Sequence, residues 1–324
     1  MNFLNIKRIA HHEWRNAFRT KTVYLSAIML GVTLLSALFI SWANAKTLNE
    51  ERRKYQEIVQ TNWLEQPDRH PHRSSHYGYL AFRPKSPLSF FDSGVDSFAG
   101  TTVFLEAHKQ NTTNFSEARH SSGLLRFGEL NLALILQILV PLLIFFLGFS
   151  AISGERESGI LRLMLSQGVS WREILIGKTA GILSVIFALL IPLLLIAVGL
   201  WFVLNNFQIS SDSWLRLLFL LFGYATYFIV CAAIAVAISA LTKTSRGSLI
   251  TLIVIWIAFW IVVPRATQNI GASVYPTPST SQFDKLLETD LAKEGDSHNP
   301  NDPKFAELKR EVLAKYNVKD VKYL

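Results

Sequence analysis

ISGERESGILRLMLSQGVSWREILIGKT, residues 152–179, is the stretch on which the reading of the fold turns. Apolar runs at 130–152 and 180–204 flank it, and between them it gathers acids, bases and glycines before ending in GKT. That ending echoes a phosphate-binding loop. Such a loop needs G-x-x-x-x-G-K-[ST] between a strand and a helix, so that backbone amides face the phosphates. Counting back from Gly177, the first glycine position holds Arg172, no buried strand precedes it, and Thr179 runs straight into an apolar segment. GKT is therefore not a nucleotide loop.

Helix grammar accounts for the insert instead. Residues 154–166 are predicted to form a short helix with Ile160, Leu161, Met164 and Leu165 on one side and Glu155, Arg156, Glu157 and Arg162 mainly elsewhere. Gly168 ends it, and Ser170 with Glu173 makes a capping box for the following helix. The expected shape is helix, glycine turn, capped helix, presenting a small surface; a plain connector lying along the membrane is the alternative.

Outward from the insert, half of the 324 residues are hydrophobic and only 17% are charged. Apolar residues gather into five runs, 22–44, 130–152, 180–204, 215–241 and 249–264, against roughly 20 residues needed to cross a bilayer. The fold class expected is an all-α polytopic membrane protein. The first run is too long and too weakly bounded for a secretory signal, and no small-residue cleavage pattern follows it.

Basic residues orient the spans. Lys7, Arg8, Arg15, Arg19 and Lys21 precede the first run; Arg156, Arg162, Arg172 and Lys178 lie in the insert; Lys243 and Arg246 lie in 242–248. The short loop 205–214 has no basic residue among 205–213. This places the amino terminus and 153–179 in the cytoplasm, with 45–129 and 265–324 outside. Lys46, Arg52, Arg53 and Lys54 fall on the outer side, but long loops translocate largely regardless of charge. Trp42, Trp201, Trp214 and Trp260 fall near outer span ends, where amphipathic rings prefer to sit. The net charge of +8 is thus a topology signal and calls for no nucleic acid. Cys231, the one cysteine, lies in the fourth run, so no intrachain disulfide forms.

Residues 1–21 contain a basic amphipathic helix with Leu4, Trp14 and Phe18 offset from the charges, suited to the inner lipid surface. In 45–129 the first span is expected to continue as a helix through Leu48, Tyr55 and Trp63, followed by an ordered Pro- and Ser-rich loop, HPHRSSHYGYLAFRPKSPLSFFDSG. In 265–324 two helices are expected, one through Phe283, Leu286, Leu287 and Leu291, the other opening at Asp302–Pro303.

GERESGILRLMLSQGVSWREILIGK resembles the segment between the second and third spans of type-2 ABC exporter permeases, the ABC-2 superfamily. The amphipathic start and short 205–214 loop fit that resemblance. HYGYLAFRPKSPLSFFDSGVDSFAGTTVFLEAHKQN is similar to a subgroup with a large extracytoplasmic loop, related to permeases of nitrous-oxide-reductase maturation and gliding motility. The resemblance implies a type-2 ABC exporter transmembrane domain with extracytoplasmic insertions, in the bacterial cytoplasmic membrane. It also implies a sixth span, expected beyond Leu324. The insert would be a coupling helix, with Glu155, Arg156, Glu157, Ser158, Gly159 and Arg162 at or near a separate ATPase subunit. No cofactor is expected in this chain and no catalysis; ATP and Mg belong to the partner ATPase. Further expected partners are a second copy or a related permease, membrane lipid and an extracytoplasmic protein. A mechanotransmitting or scaffold subunit that moves no solute is the second reading, and a metal-handling membrane protein the third.

Two residue groups stay open. His70, His72 and His76 share one outer loop, with His108 and His120 further on; they are weak metal candidates, since zinc sites usually use three or four protein ligands and hydrogen-bonded histidines are common. Mid-span carboxylates or bases are missing from the apolar runs, which argues against an ion-coupled carrier and for an external energy source. Gln137, Tyr224, Thr226 and Tyr227 are the polar candidates for a translocation path, with interhelical hydrogen bonding as the alternative.

Overall fold

The computed structural model describes residues 2–94, 99–107, 132–295, 299 and 302–320. His108 and His120 lie outside them. Among the described residues five helical stretches are long and apolar enough to cross a membrane, in agreement with the five runs read from sequence.

The chain divides into two units, Met1–Trp260 and Ile261–Leu324. The first opens with α1 (Phe3–Arg19), capped by the Asn2 side chain on the Leu4 N–H. α2 (Lys21–Leu64) follows as one helix of 44 residues, about 66 Å at 1.5 Å per residue. That is roughly twice the hydrocarbon thickness of a bilayer, so its second half projects beyond any span, as expected. Residues expected to form only an ordered loop contain a short helix, α3 (Pro71–Ser75), and a strand, β1 (Tyr79–Phe82), paired antiparallel with β2 (Thr102–Leu105). Alternation of Tyr79 and Ala81 with Leu80 and Phe82 suits a two-sided ribbon. Trp63 at the far end of α2 meets the rings of Tyr77 and Tyr79 edge-on, at 6.2 and 5.8 Å between centroids.

α4 (Leu132–Gly148) comes next and is apolar except at Gln137, the pattern of a helix surrounded by others or by lipid. It packs against all four other membrane-length helices: α2, α7 (Trp171–Leu204), α8 (Ser211–Leu241) and α9 (Ser245–Ile257). Small residues let the backbones close: a Cβ at Gly148 would fall 2.6 Å from the Cβ of Ala235 on α8, the close-approach chemistry of membrane helices. Ile135, Val140, Ile144 and Phe145 of α4 are buried there with Ala232, Ala235 and Leu252. Trp201 is buried in this core as well, with its ring 5.2 Å from Trp214. It stands near the end of α7, where the sequence places it, and it is covered because α7 and α8 pack on each other up to their connecting turn.

Between α4 and α7 the insert forms α5 (Ser153–Glu157) and α6 (Ile160–Ser166), two helices where one over 154–166 was expected. Gly159 between them has φ +79°, a left-handed conformation that ends a helix.

The fifth membrane-length stretch is Ser245–Val274. It runs as α9, a π-helical turn Ala258–Val262, then α10 (Val263–Val274), so helix continues ten residues past Pro264, where the apolar run was expected to stop. Pro264 stands in the first turn of α10, where its missing N–H costs little. In the second unit α11 (Thr280–Glu294) opens on a Ser279–Gln282 capping box. Asp302 caps a 3-10 turn, Pro303–Phe305, that leads into α12 (Ala306–Tyr316), matching both expected helices.

Candidate functional site: the insert between the second and third spans

The insert is held from three directions. At its root, Ser239 Oγ on α8 accepts from the Ile152 and Ser153 N–H groups, each at 3.0 Å, and donates to Phe149 O at 2.9 Å. Arg156 donates to the carbonyl oxygens of Ala240, at 2.7 Å, and Thr242, the end of α8 where a cation is favoured by the helix dipole. Glu157 accepts from Ser245 N at 3.2 Å and Ser245 Oγ at 2.7 Å, the start of α9 where an anion is favoured. One dipeptide therefore clips the turn between two membrane-length helices.

α6 ends in a Schellman arrangement: Val169 N–H bonds Met164 O and Gly168 N–H bonds Leu165 O, with φ +83° at Gly168. The Ser170–Glu173 capping box expected for α7 is present. Glu173 also accepts from the Asn2 N–H and, at 3.2 Å, from the Asn5 side chain. It stands in the first turn of α7, ahead of the apolar stretch 180–204. The Asn2 and Ser170 N–H groups, with the Asn5 amide, hold its carboxyl down to about 2.

The lysine of GKT lies behind the insert. Lys178 is 2% exposed and its ammonium lies on Glu13 of α1, at 2.6 Å, and on Glu155 of α5. Gly177 and Gly181, one turn apart, make room: a Cβ on either would fall 2.8 Å from the Ile9 Cβ or 2.5 Å from the Glu13 Cβ. α1 thus lies in a glycine groove on α7 with Ile6, Ile9 and Ala17 buried, while Leu4 and Phe18 stay exposed. Lys178, Glu13, Glu155 and Phe146 help line a cleft of about 610 Å³ between α1, α4, α5 and α7. His12, Glu13 and Glu155 offer ligand atoms within 4.8 Å of one another, but the Lys178 ammonium already lies on both carboxylates.

Of the residues expected to face a partner, Glu155 and Arg156 are partly buried against the chain itself, while Glu157 reaches Ser245 and stays exposed. Ser158, Gly159 and Arg162 are exposed, and so are Ile160 and Leu163, at 48% and 57%. Leu161 is buried with Met164 and Leu165 packed beside it. Ile160, expected on the inner side, points outward because the break at Gly159 resets the helix phase.

The polar span residues form a chain on the opposite side of the bundle from the insert. Gln137 Nε2 donates to Tyr224 Oη at 3.3 Å, Tyr224 Oη donates to Asp92 at 3.0 Å, Tyr227 Oη donates to Gln137 O at 2.7 Å, and Trp260 Nε1 donates to Tyr227 Oη at 2.6 Å. Thr226 is exposed on another face. Asp92 belongs to the segment between α2 and α4, whose Leu88, Phe90 and Phe91 are buried in the main core. In the segment after α2, His72 and His76 bring their Nε2 atoms to 3.3 Å, whereas His70 Nδ1 accepts from the His72 N–H.

Sequence reasoning passed over Glu13, Lys178, Ser239 and Asp92. For the first pair a signal existed: a lysine between glycines one turn apart, where the apolar span begins, needs a buried acid. Ser239 and Asp92 carry none, since each acts through a neighbour 86 or more residues away. The family model described as ABC-2 family transporter protein matches residues 8–289, from α1 into α11. No curated protein matches the chain.

Proposed function

Because the chain belongs to the ABC-2 family of transporter proteins, a multi-pass membrane family that supplies the permease subunit of ABC systems, we propose that it is the membrane subunit of an ATP-driven exporter. Its residues 153–166 meet a separate ATPase subunit in the cytoplasm. The observation that carries this is the mounting of the insert: its exposed edge (Ser158, Ile160, Arg162, Leu163) is backed by bonds from Glu155, Arg156 and Glu157 to α7, α8 and α9, and through Lys178 to α1. A push on that edge reaches α7, α8 and α9 directly through charged contacts, and α1 through Lys178. Glu155, Arg156 and Glu157 act as the mounting, and the exposed residues as the face. ATP and Mg are held by the partner, and this chain performs no chemistry.

The reading also takes a second permease, a copy or a relative, as partner, in a bacterial inner membrane with the amino terminus inside. Replacing Ile160 and Leu163 together by Asp tests it. Both side chains are exposed, so the permease should stay folded while co-purification of the ATPase subunit falls. Unchanged co-purification and transport would remove the contact assignment.

One observation favours a second reading, a mechanotransmitter that acts on an outer partner. Phe90, Phe91 and Asp92 root the outer hairpin region in the bundle through the core and through Tyr224. Motion of α8 would therefore be felt by the outer segment. Reconstitution with the ATPase separates the two readings: solute movement across vesicles supports the exporter, and ATP-dependent change in the outer segment without solute movement supports the transmitter.

A further inference from the structure

We propose that His72 and His76 form a two-imidazole clip for a divalent first-row transition metal, an exchangeable site on the outer segment. The Nε2 atoms of the two rings lie 3.3 Å apart. Two nitrogens bound tetrahedrally to one metal at 2.0–2.1 Å stand about 3.3 Å from each other, so the pair already spans the ligand edge of such a site. The rings meet edge to face, with centroids 4.8 Å apart and planes at 73°.

The backbone beneath them is fixed. His72 sits in α3 and His76 is its C-cap. Ser75 O accepts from Ala107 N–H, just past β2, at 3.0 Å, and Tyr77 N–H bonds Ser74 O at 3.1 Å. Tyr77 itself is wedged between Trp63 and the Arg69 guanidinium, which lies 5.5 Å from its ring. Ligands held by a rigid frame bind without reordering.

His70 is not a member. Its Nδ1 caps α3 by accepting from the His72 N–H at 3.3 Å. These two imidazoles leave further coordination positions, open to water or to other side chains. Structural zinc sites have four protein ligands and catalytic ones three, so a two-ligand site loads and releases its ion readily. Imidazole suits Zn, Ni and Cu, and the Irving–Williams order puts Cu(II) tightest. The inference stands apart from the ATPase-contact reading and from its test.

The test is Cu(II) electron paramagnetic resonance on the purified full chain in detergent, at neutral pH with one equivalent of Cu(II). The expected spectrum shows coupling to two imidazole nitrogens. His72→Ala and His76→Ala should each weaken binding about tenfold or more, while His70→Ala keeps the two-nitrogen signal. A His72→Ala/His76→Ala variant with the wild-type affinity and spectrum would overturn the proposal. So would a wild-type spectrum without imidazole nitrogen. Should the variants fail to fold, the unaltered protein decides: mass-spectrometric mapping of histidines modified by diethyl pyrocarbonate, with and without Zn(II). Protection confined to His72 and His76 supports the site, and protection only elsewhere overturns it.

Discussion

Lys178 shows how one side chain can be read correctly for what it is not and still be missed for what it is. It touches no phosphate; its ammonium joins three elements by lying between Glu13 and Glu155. Removing one partner from a buried charge cluster costs about 3–5 kcal/mol, whereas replacing the whole cluster by neutral groups is often harmless. Lys178→Ala, which leaves two carboxylates facing each other, should therefore lower the thermal unfolding temperature in detergent markedly. The triple change Glu13→Gln, Glu155→Gln, Lys178→Met should recover most of that loss. Basal ATP hydrolysis by an isolated ATPase partner should be unaffected by either. Equal stability of Lys178→Ala and wild type would show that the ion cluster does not hold the insert.

At the scale of elements, the informative contact is α1 on α7. Gly177 and Gly181 are tolerated in a helix, where glycine costs about 1 kcal/mol relative to alanine, because α1 occupies the space their side chains would fill. Gly181→Val should push α1 away, freeing Lys178 and exposing Ile9; a cysteine placed at Ile9 would then label faster in the Gly181→Val background. Gly199 on the same helix has no atom within 4 Å of its would-be Cβ. Gly199→Ala should leave that labelling rate unchanged and stabilise α7 by up to about 1 kcal/mol. Similar labelling in both variants would remove the groove as the reason for the glycines. The α5–α6 break belongs to this scale too: Gly159 splits the insert so that α5 clips α8 and α9 while α6 turns Ile160 and Leu163 outward.

At the scale of the whole molecule, the bundle is tied at both ends, by the insert at one and by residues 88–92 at the other. Phe91→Ala removes a ring that is 6% exposed and should cost about 3–5 kcal/mol, loosening the outer segment to limited proteolysis. Tyr224→Phe keeps the ring and takes away the hydroxyl's hydrogen bonds with Asp92 and Gln137, and should cost less, about 1–3 kcal/mol. Proteolysis that is indifferent to both changes would detach the outer segment from the bundle. The sidedness drawn from basic residues is checked on intact cells in a Cys231→Ala background. A cysteine at Ser75 should react with an impermeant maleimide and one at Ser158 should not; the reverse pattern would invert the topology.

Hydropathy and helix grammar alone determined the five long helices, the extension of the first beyond the bilayer, the Ser170–Glu173 cap and the two helices of 265–320. These depend on segment length, on periodicity and on residues within about one turn of each other, which a linear chain displays. Where 154–166 breaks was legible only in part, since Gly159 is as compatible with a helix interior as with its end until Arg156 and Glu157 find Ala240 and Ser245. Tertiary structure alone decided which acids the lysine of GKT meets, that Trp201 is core, that Glu155 faces inward, and that His72 and His76 pair while His70 caps. Each of those outcomes is a meeting of groups in three dimensions, set by which backbones approach closely enough for a charge to be matched or a ring to be covered.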